Sequence, residues 1–316
     1  MDKPSTSKAS AKDRPTASTD SANDKPSAST DGANDKRSAS KSTGGNEFSA
    51  SKATGADKPY PFDAALSKRV EALYTTPDVA EQRQRILSYL KLQPAERVVD
   101  IGAGPGFLAS EMGAQVGPSG NVSGVDTSEN MIALARARCS TQPWIEFHAG
   151  DALRLPVPDA GFDAAVCTQV YEYVADMATA LREAHRILRA GGRLLVLDTD
   201  WQSIVWHSKD PARMQRVLRD WEHHLADPHL PQTLDPKLRQ AGFRVHSRAV
   251  IPLLNVDYAP ATYSHGMIDI IRAFVAARDV ISKDEASAWA EELRELGRRG
   301  EYFFSLNRYL FLAVKD

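Results

Sequence analysis

The stretch Arg97–Gly106, RVVDIGAGPG, limits the folds open to this chain more than any other. Val98, Val99, Asp100 and Ile101 read as a buried strand with a polar tip. Glycine then fills every second position from Gly102 to Gly106, and Phe107–Met112 resumes with helical spacing. A strand, a glycine turn and a helix start form a corner where backbone can approach a ligand. The helix start also offers free N–H groups and partial positive charge. Tight turns use glycine too, so the surroundings must decide between packing and binding.

Those surroundings alternate. Strands are predicted at Asn121–Asp126, Ile145–His148, Phe162–Thr168 and Arg193–Asp198, with helices at Ser128–Arg138 and Met177–Arg189, the latter closed by Gly191-Gly192. Before the corner, Thr76 is the expected cap of a helix with Pro77 in its first turn, running through Leu90. Strand–helix alternation specifies an α/β fold with a parallel sheet covered on both faces. Its ligand belongs at the carboxyl ends of the strands. Past Asp198 the pattern changes. A helix is expected at Pro211–Leu225, a strand at Phe243–Pro252, helices at Met267–Ala277 and Lys283–Arg298, and a last strand at Tyr302–Val314. Two excursions, about residues 201–240 and 258–300, read as a cap over the ligand edge.

Residues 1–58 hold Ser, Ala, Thr, Lys, Asp and Pro with almost no large apolar side chains, and an eleven-residue unit starting at Ser18 repeats from Ser29. Such a tail cannot bury enough surface to offset its ordering entropy and is expected to be disordered, leaving 59–316 as the folded domain. Net charge is −2, which gives no basic field for nucleic acid or anionic membrane. No apolar run approaches the roughly 18–20 residues needed to span a bilayer. Cys139 and Cys167 are too few for a disulfide framework. Of His223, His224 and His229, the adjacent pair points to different sides of a helix and no Cys joins them, so no metal is expected. A cytoplasmic protein with neither a nucleic-acid nor a membrane partner is the expectation; oligomeric state is open.

Asp126 ends the second strand about twenty residues past the glycine loop, where an acid accepts hydrogen bonds from a ribose. It could equally cap the helix that follows. Nicotinamide nucleotides and S-adenosylmethionine both carry such a ribose. Gly150-Asp151-Ala152 after the third strand, Leu155-Pro156-Val157-Pro158-Asp159, Phe162-Asp163 and Leu188–Val196 narrow the choice. With these motifs in this order, the chain resembles the class I S-adenosylmethionine-dependent methyltransferases, specifically the small-molecule type 11 or UbiE-like group. The resemblance covers Thr76–Asp198 well and the final strand moderately.

It implies a Rossmann-like, mostly parallel seven-stranded sheet with an antiparallel last strand. It implies that Asp100, Gly102, Ala103, Gly104 and Gly106 hold the methionine part of the cofactor. Asp126 and Thr127 would take the ribose, Asp151 and Ala152 the adenine, and Gln169 would face the cofactor from the fourth strand. Tyr74 and Arg83 are candidates for its carboxylate side. Methyl transfer from a sulfonium depends chiefly on alignment and water exclusion, so no catalytic triad is expected.

Acceptor candidates lie at the strand tips and in the cap. Glu172, Asp198 and Asp200 could pair with an amine, and the faces of Trp201 and Trp206 suit a flat or cationic substrate. His207, Tyr171 and Tyr173 are the candidate catalytic groups, His207 as a base near neutral pH. These readings converge on methyl transfer to a small aromatic or amine-bearing molecule. The rivals are an NAD(P)-dependent oxidoreductase, which would share the loop and Asp126, and a cofactor-binding module without turnover.

Overall fold

In the computed structural model, residues 71–316 are described; the expected tail at 1–58 lies outside the described residues. Residues 71–74 end a helical turn that leads into helix α1 (Pro77–Leu90). Pro77 stands in the first turn as expected, but Thr76 gives no side-chain cap. Its hydroxyl turns back to Leu73 O at 2.7 Å.

The corner follows as strand β1 (Arg97–Ile101) and helix α2 (Phe107–Val116). Strand β2 (Asn121–Asp126), helix α3 (Glu129–Arg138), β3 (Ile145–Ala149) and β4 (Phe162–Thr168) continue the alternation. Helix α4 (Met177–Ile187) leads into β5 (Leu188–Thr199). The remainder comprises β6 (Val205–Trp206), α5 (Pro211–Trp221), α6 (Pro231–Gln240), β7 (Phe243–Asn255), α7 (Tyr263–Ala277), α8 (Lys283–Arg298) and β8 (Phe304–Lys315). Short 3₁₀ turns occupy Tyr171–Tyr173, Trp201–Ser203 and Glu222–His224. The expected helix Pro211–Leu225 therefore stops at Trp221 and tightens into the last of these turns.

Strand order is β3-β2-β1-β4-β5-β8, with β7 on the far side of β8 and β6 pairing with the first residues of β8. The pairs from β3 to β5 are parallel, and β8 runs antiparallel to β5, β6 and β7. Seven long strands are present as expected, and the two-residue β6 adds an eighth. Central strands are buried along most of their length because their side chains meet helices on both faces, which is why β1 and β4 read as apolar runs without alternation.

One boundary differs in kind. Helix α4 ends at Ile187 and β5 begins at once, because Leu188 pairs with Phe162. Gly191-Gly192 does not stop the helix. It lies in the irregular stretch between the Phe162–Leu188 and Ala164–Arg193 pairs, where Gly191 takes φ +74°. Elsewhere helix starts behave as polar caps should. Ser128, Asp176, Asp210 and Ser282 each accept a backbone N–H three residues on.

Two apolar cores cover the two sheet faces. One joins Met177, Leu181 and Ile187 of α4 with Leu234 and Leu238 of α6. The other joins Ile86 and Leu90 of α1 with Met112 of α2 and Ile132 of α3. Helix α6 thus packs on the sheet, although it falls inside the first expected excursion. A third core binds α5, α7 and α8 around Trp206, Trp289 and Phe304, where β8 begins. Because β8 is antiparallel to β5, that start lies at the carboxyl edge of the parallel strands.

Candidate functional site

At the carboxyl edge of β1 the chain turns sharply. Gly102, Gly104 and Gly106 all take positive φ, at +73°, +51° and +79°, conformations that L side chains rarely adopt. The N–H groups of Gly102 and Ala103 both donate to Val125 O, which pulls the loop over β2. Gly102 also lies so close to the turn after β4 that an added Cβ would meet Val170 Cγ2 at 2.1 Å. At Gly104, by contrast, nothing lies within 4 Å of an added Cβ, so this part of the loop faces open space. A small residue with open space above it is where a ligand can approach backbone.

Asp126 sits beneath that opening. Its Oδ2 accepts from Gly104 N and its Oδ1 from Ser128 N, both at 2.8 Å. Burial raises its pKa, and the backbone donors of Ser128, Gly104 and Thr127 oppose that rise. An ionised carboxylate offers about four lone-pair sites, so a ribose diol can bind beside these two donors. Thr127 is exposed next to it. Gly150 N donates to Asp126 O at 3.0 Å, which brings Asp151 and Ala152 alongside. Asp151 is exposed and accepts from Leu153 N, while Ala152 is buried.

Asp100 supplies the clearest sign of a missing partner. The side chain is buried, and its Oδ2 has no hydrogen-bond partner among the described residues. Burial, with the charge of Asp126 adding, pushes its carboxyl up to about 7. A buried acid left so is costly unless a donor or cation arrives. The ammonium or sulfonium of S-adenosylmethionine has that character, so these residues fit the group.

Tyr74 and Arg83 close the other side. Arg83 Nη1 donates to Tyr74 O at 2.6 Å, Nε to Glu111 at 2.8 Å, and its guanidinium lies 5.0 Å from the Phe107 ring centroid. Glu111 already answers the charge of Arg83, which leaves it a weaker anion site than expected. Burial pushes the Tyr74 phenol up to about 12; Arg308 opposes the rise, while Asp126 and Glu172 add to it. The charges of Asp126 and of a second acidic group thus both reach the Tyr74 phenol. Gln169, at φ +57°, accepts from the Thr199 hydroxyl at 2.7 Å and so bridges the tips of β4 and β5.

That second group is Glu172 with Asp198, both buried. Glu172 Oε2 accepts from Trp201 Nε1 at 3.3 Å, and Asp198 Oδ1 from Val170 N at 3.1 Å. Asp198 Oδ2 has no partner among the described residues. Burial pushes Glu172 up to about 7 against the pull of Arg308, and raises Asp198 well above the carboxylate range, with the charge of Glu172 adding.

Several candidates stand elsewhere. Tyr171 is fully buried in the core beneath α4, so it packs rather than meeting a substrate. Tyr173 is an exposed residue whose ring meets His224 edge-on. Asp200 accepts from His229 Nδ1, Gln232 Nε2 and Gln202 N, which ties down the following loops and caps a turn. Trp206 is wedged between Trp289 and Phe304 at centroid distances of 5.6 and 4.8 Å and serves the third core. His207 is exposed in an open outer groove with Val205, Pro211 and Phe303, and no residue of the glycine loop lines that groove. Trp201 is buried and reaches the site only through its bond to Glu172. Among the described residues no His, Cys, Asp and Glu group could hold a metal. Nor is any helix there long and apolar enough to cross a membrane.

The residue that sequence reasoning missed is Arg308 of β8, buried and paired across the ladder with Thr199. A lone arginine in a late apolar strand carries no motif; only the antiparallel register brings it to the tip of β5.

Known proteins resemble this chain in sequence and in fold. The family described as Methyltransferase domain matches residues 99–196. An uncharacterized 37.1 kDa protein in transposon TN4556 of Streptomyces fradiae is 36% identical over 169 residues, 52% of this chain and 48% of that protein. A demethylmenaquinone methyltransferase of Symbiobacterium thermophilum is 36% identical over 109 residues, 34% of this chain and 43% of the relative. The chain thus spans about half the length of the curated relatives it matches. Among solved structures, the YcgJ protein from Bacillus subtilis matches with TM-score 0.51 at 21% identity, covering 75% of this chain and 98% of the other. Phosphoethanolamine N-methyltransferase 2 of Haemonchus contortus, solved in complex with S-adenosyl-L-methionine, matches with TM-score 0.52 at 18% identity over 80% and 57%. These two likenesses concern the fold alone. With the matched residues, the strand order and the glycine corner together, residues 99–196 carry a methyltransferase domain within a Rossmann-like sheet.

Proposed function

We propose that this protein binds S-adenosylmethionine at the β1–β2 corner and transfers its methyl group to a small acceptor held at the tips of β4 and β5. The observation that carries the reading is the pair Asp100 and Asp126 around the open face of Gly104. When bound, the cofactor supplies an electrophilic methyl on a positively charged sulfur. Asp100 would answer positive charge, Asp126 would hold the ribose hydroxyls, and Asp151 with Ala152 would flank the base. Tyr74, kept protonated, would donate a hydrogen bond across the gap to the acceptor side. Most of the rate would come from holding acceptor and donor in line in a dry site. Glu172 is the group that could take a proton from the acceptor near neutral pH. The buried Tyr263 ring beside Arg308 favours an aromatic or amine-bearing acceptor.

The test is calorimetric titration with S-adenosylhomocysteine beside NAD and NADP. Micromolar binding of the first alone is expected. Binding of a nicotinamide nucleotide instead would overturn the reading in favour of an oxidoreductase.

A further inference from the structure

Arg308 is a buried cation that forms no ion pair within salt-bridge distance among the described residues. It projects from β8 opposite Thr199, and its Nη1 donates to Gln82 Oε1 of α1. Its guanidinium carbon lies 4.8 Å from the centroid of the Tyr263 ring. Its Nε has no hydrogen-bond partner among the described residues. Both direct contacts are uncharged, so the positive charge is held away from water with a donor free. Such an arrangement is expensive unless something negative completes it.

The surroundings are those of a site rather than of a structural ion pair. Glu172, Asp198, Tyr74 and Tyr263 all feel the charge of Arg308, and Asp78 faces Tyr263 from α1. The two carboxyl groups are the obvious counter-ions, yet Glu172 bonds to Trp201 and Asp198 to Val170. Burial favours their neutral forms, which leaves Arg308 less compensated still. Asp198 Oδ2 and Arg308 Nε are thus two unpartnered buried atoms at one strand edge. The Thr199–Gln169 bond links that edge to the tip of β4.

We propose that Arg308 binds an acidic oxygen of the methyl acceptor, a phenol, enol or carboxylate, through its free Nε–H. This rests on the acceptor lying at the β4–β5 tips as proposed above. A guanidinium at that point stabilises the ionised oxygen in a dry site, so a phenolic acceptor would be held nearer its nucleophilic form. Neutral or cationic amines without such an oxygen would bind poorly there.

The experiment titrates the full chain, with S-adenosylhomocysteine present, with benzoate, 4-nitrophenol and benzylamine. The absorbance of 4-nitrophenol reports its ionisation directly. The wild type is expected to bind both oxygen acids and to lower the apparent pKa of bound 4-nitrophenol by about one unit. Arg308→Met should weaken both acids by about tenfold or more and abolish the spectral shift, while Arg308→Lys keeps part of each. Affinity for S-adenosylhomocysteine and the melting curve of Arg308→Lys should match the wild type. Preference for benzylamine, acid binding indifferent to Arg308→Met, or no binding of either acid would overturn the proposal. Acid binding that depends on Arg308 with no affinity for S-adenosylhomocysteine would instead reject the cofactor reading and overturn the acceptor role, leaving Arg308 as an anion site of another chemistry.

Discussion

The backbone N–H of Gly104 donates to Asp126 Oδ2 at 2.8 Å, joining the glycine loop to the acid 22 residues later. Asp126 also receives Ser128 N at the start of α3, so one carboxylate both shapes the loop and starts the next helix. The two sequence readings of Asp126, ribose acid and helix cap, are therefore compatible.

Asp126→Ala should accordingly act twice. Loss of charge-assisted bonds to backbone and ligand, each ~1.5–3 kcal/mol, predicts ~10–100-fold weaker S-adenosylhomocysteine binding. The melting temperature should fall by a few degrees as the loop loses its tie, and Asp126→Asn should recover part of that fall. Calorimetry beside thermal melts separates the two effects. Unchanged affinity with a lowered melting point would reduce Asp126 to a buttress.

The loop glycines should differ in a way that their spacing does not reveal. Gly104→Ala carries a left-handed backbone but meets nothing within 4 Å, so its cost is about 1–2 kcal/mol. Gly102→Ala has the same backbone penalty and would place Cβ 2.1 Å from Val170 Cγ2, forcing the Val170 side chain and the loop apart. Urea midpoints should therefore rank Gly102→Ala well below Gly104→Ala. Ligand affinity should drop in Gly104→Ala more than its stability does, because its Cβ occupies the approach face.

Much of this was legible in the chain for physical reasons. Buried parallel strands must read as apolar runs, and a turn that brings backbone to a ligand must be glycine-rich, so β1, β4 and the corner announce themselves. Asp198 and Glu172 were visible as acids at strand tips, and both lie in the buried edge. Tyr171, Trp206 and His207 misled because aromatic and imidazole side chains look the same in sequence whether they pack, line a groove or bind. Only burial separates them. Arg308 was hidden for the opposite reason: its role comes from an antiparallel register with β5, which no local spacing encodes.

Asp100 makes a pH prediction whose sign can be worked out. Its carboxyl is pushed up to about 7 from an ordinary value of 3.8, so in this range the folded state holds a proton that the unfolded state has lost. Its stability contribution is full below about pH 4 and is lost as pH rises through about 7. Glu172, also raised to about 7, adds in the same window. Asp100→Asn should flatten part of the fall in melting temperature between pH 5 and pH 8 (approximate bounds). A cationic ligand reverses the preference of the site, since it favours ionised Asp100. Binding of S-adenosylmethionine should then release a proton and tighten as pH rises through about 7. Calorimetry in two buffers of different ionisation enthalpy measures that release, and Asp100→Asn should remove it. Equal heats in both buffers for the wild type would mean that Asp100 is not beside the cation.

His207 provides the contrasting case at the outer groove. Its backbone N–H donates to Phe303 O at 2.9 Å, which holds the chain between β6 and α5, while its ring stays exposed. The adjacent Trp206 turns the other way, into Trp289, Tyr302 and Phe304. The backbone bond survives any side-chain change, so His207→Ala should leave the fold intact and methyl transfer within about twofold of wild type. Trp206→Ala should cost about 3–5 kcal/mol, because it empties the centre of the third core. Rates for both variants, normalised to the folded fraction from urea unfolding, decide the matter. A loss of about a hundredfold or more in His207→Ala with unchanged stability would return the imidazole to the reaction as an acid–base group. That result would also require the groove, rather than the edge at Glu172, Asp198 and Arg308, to hold the acceptor.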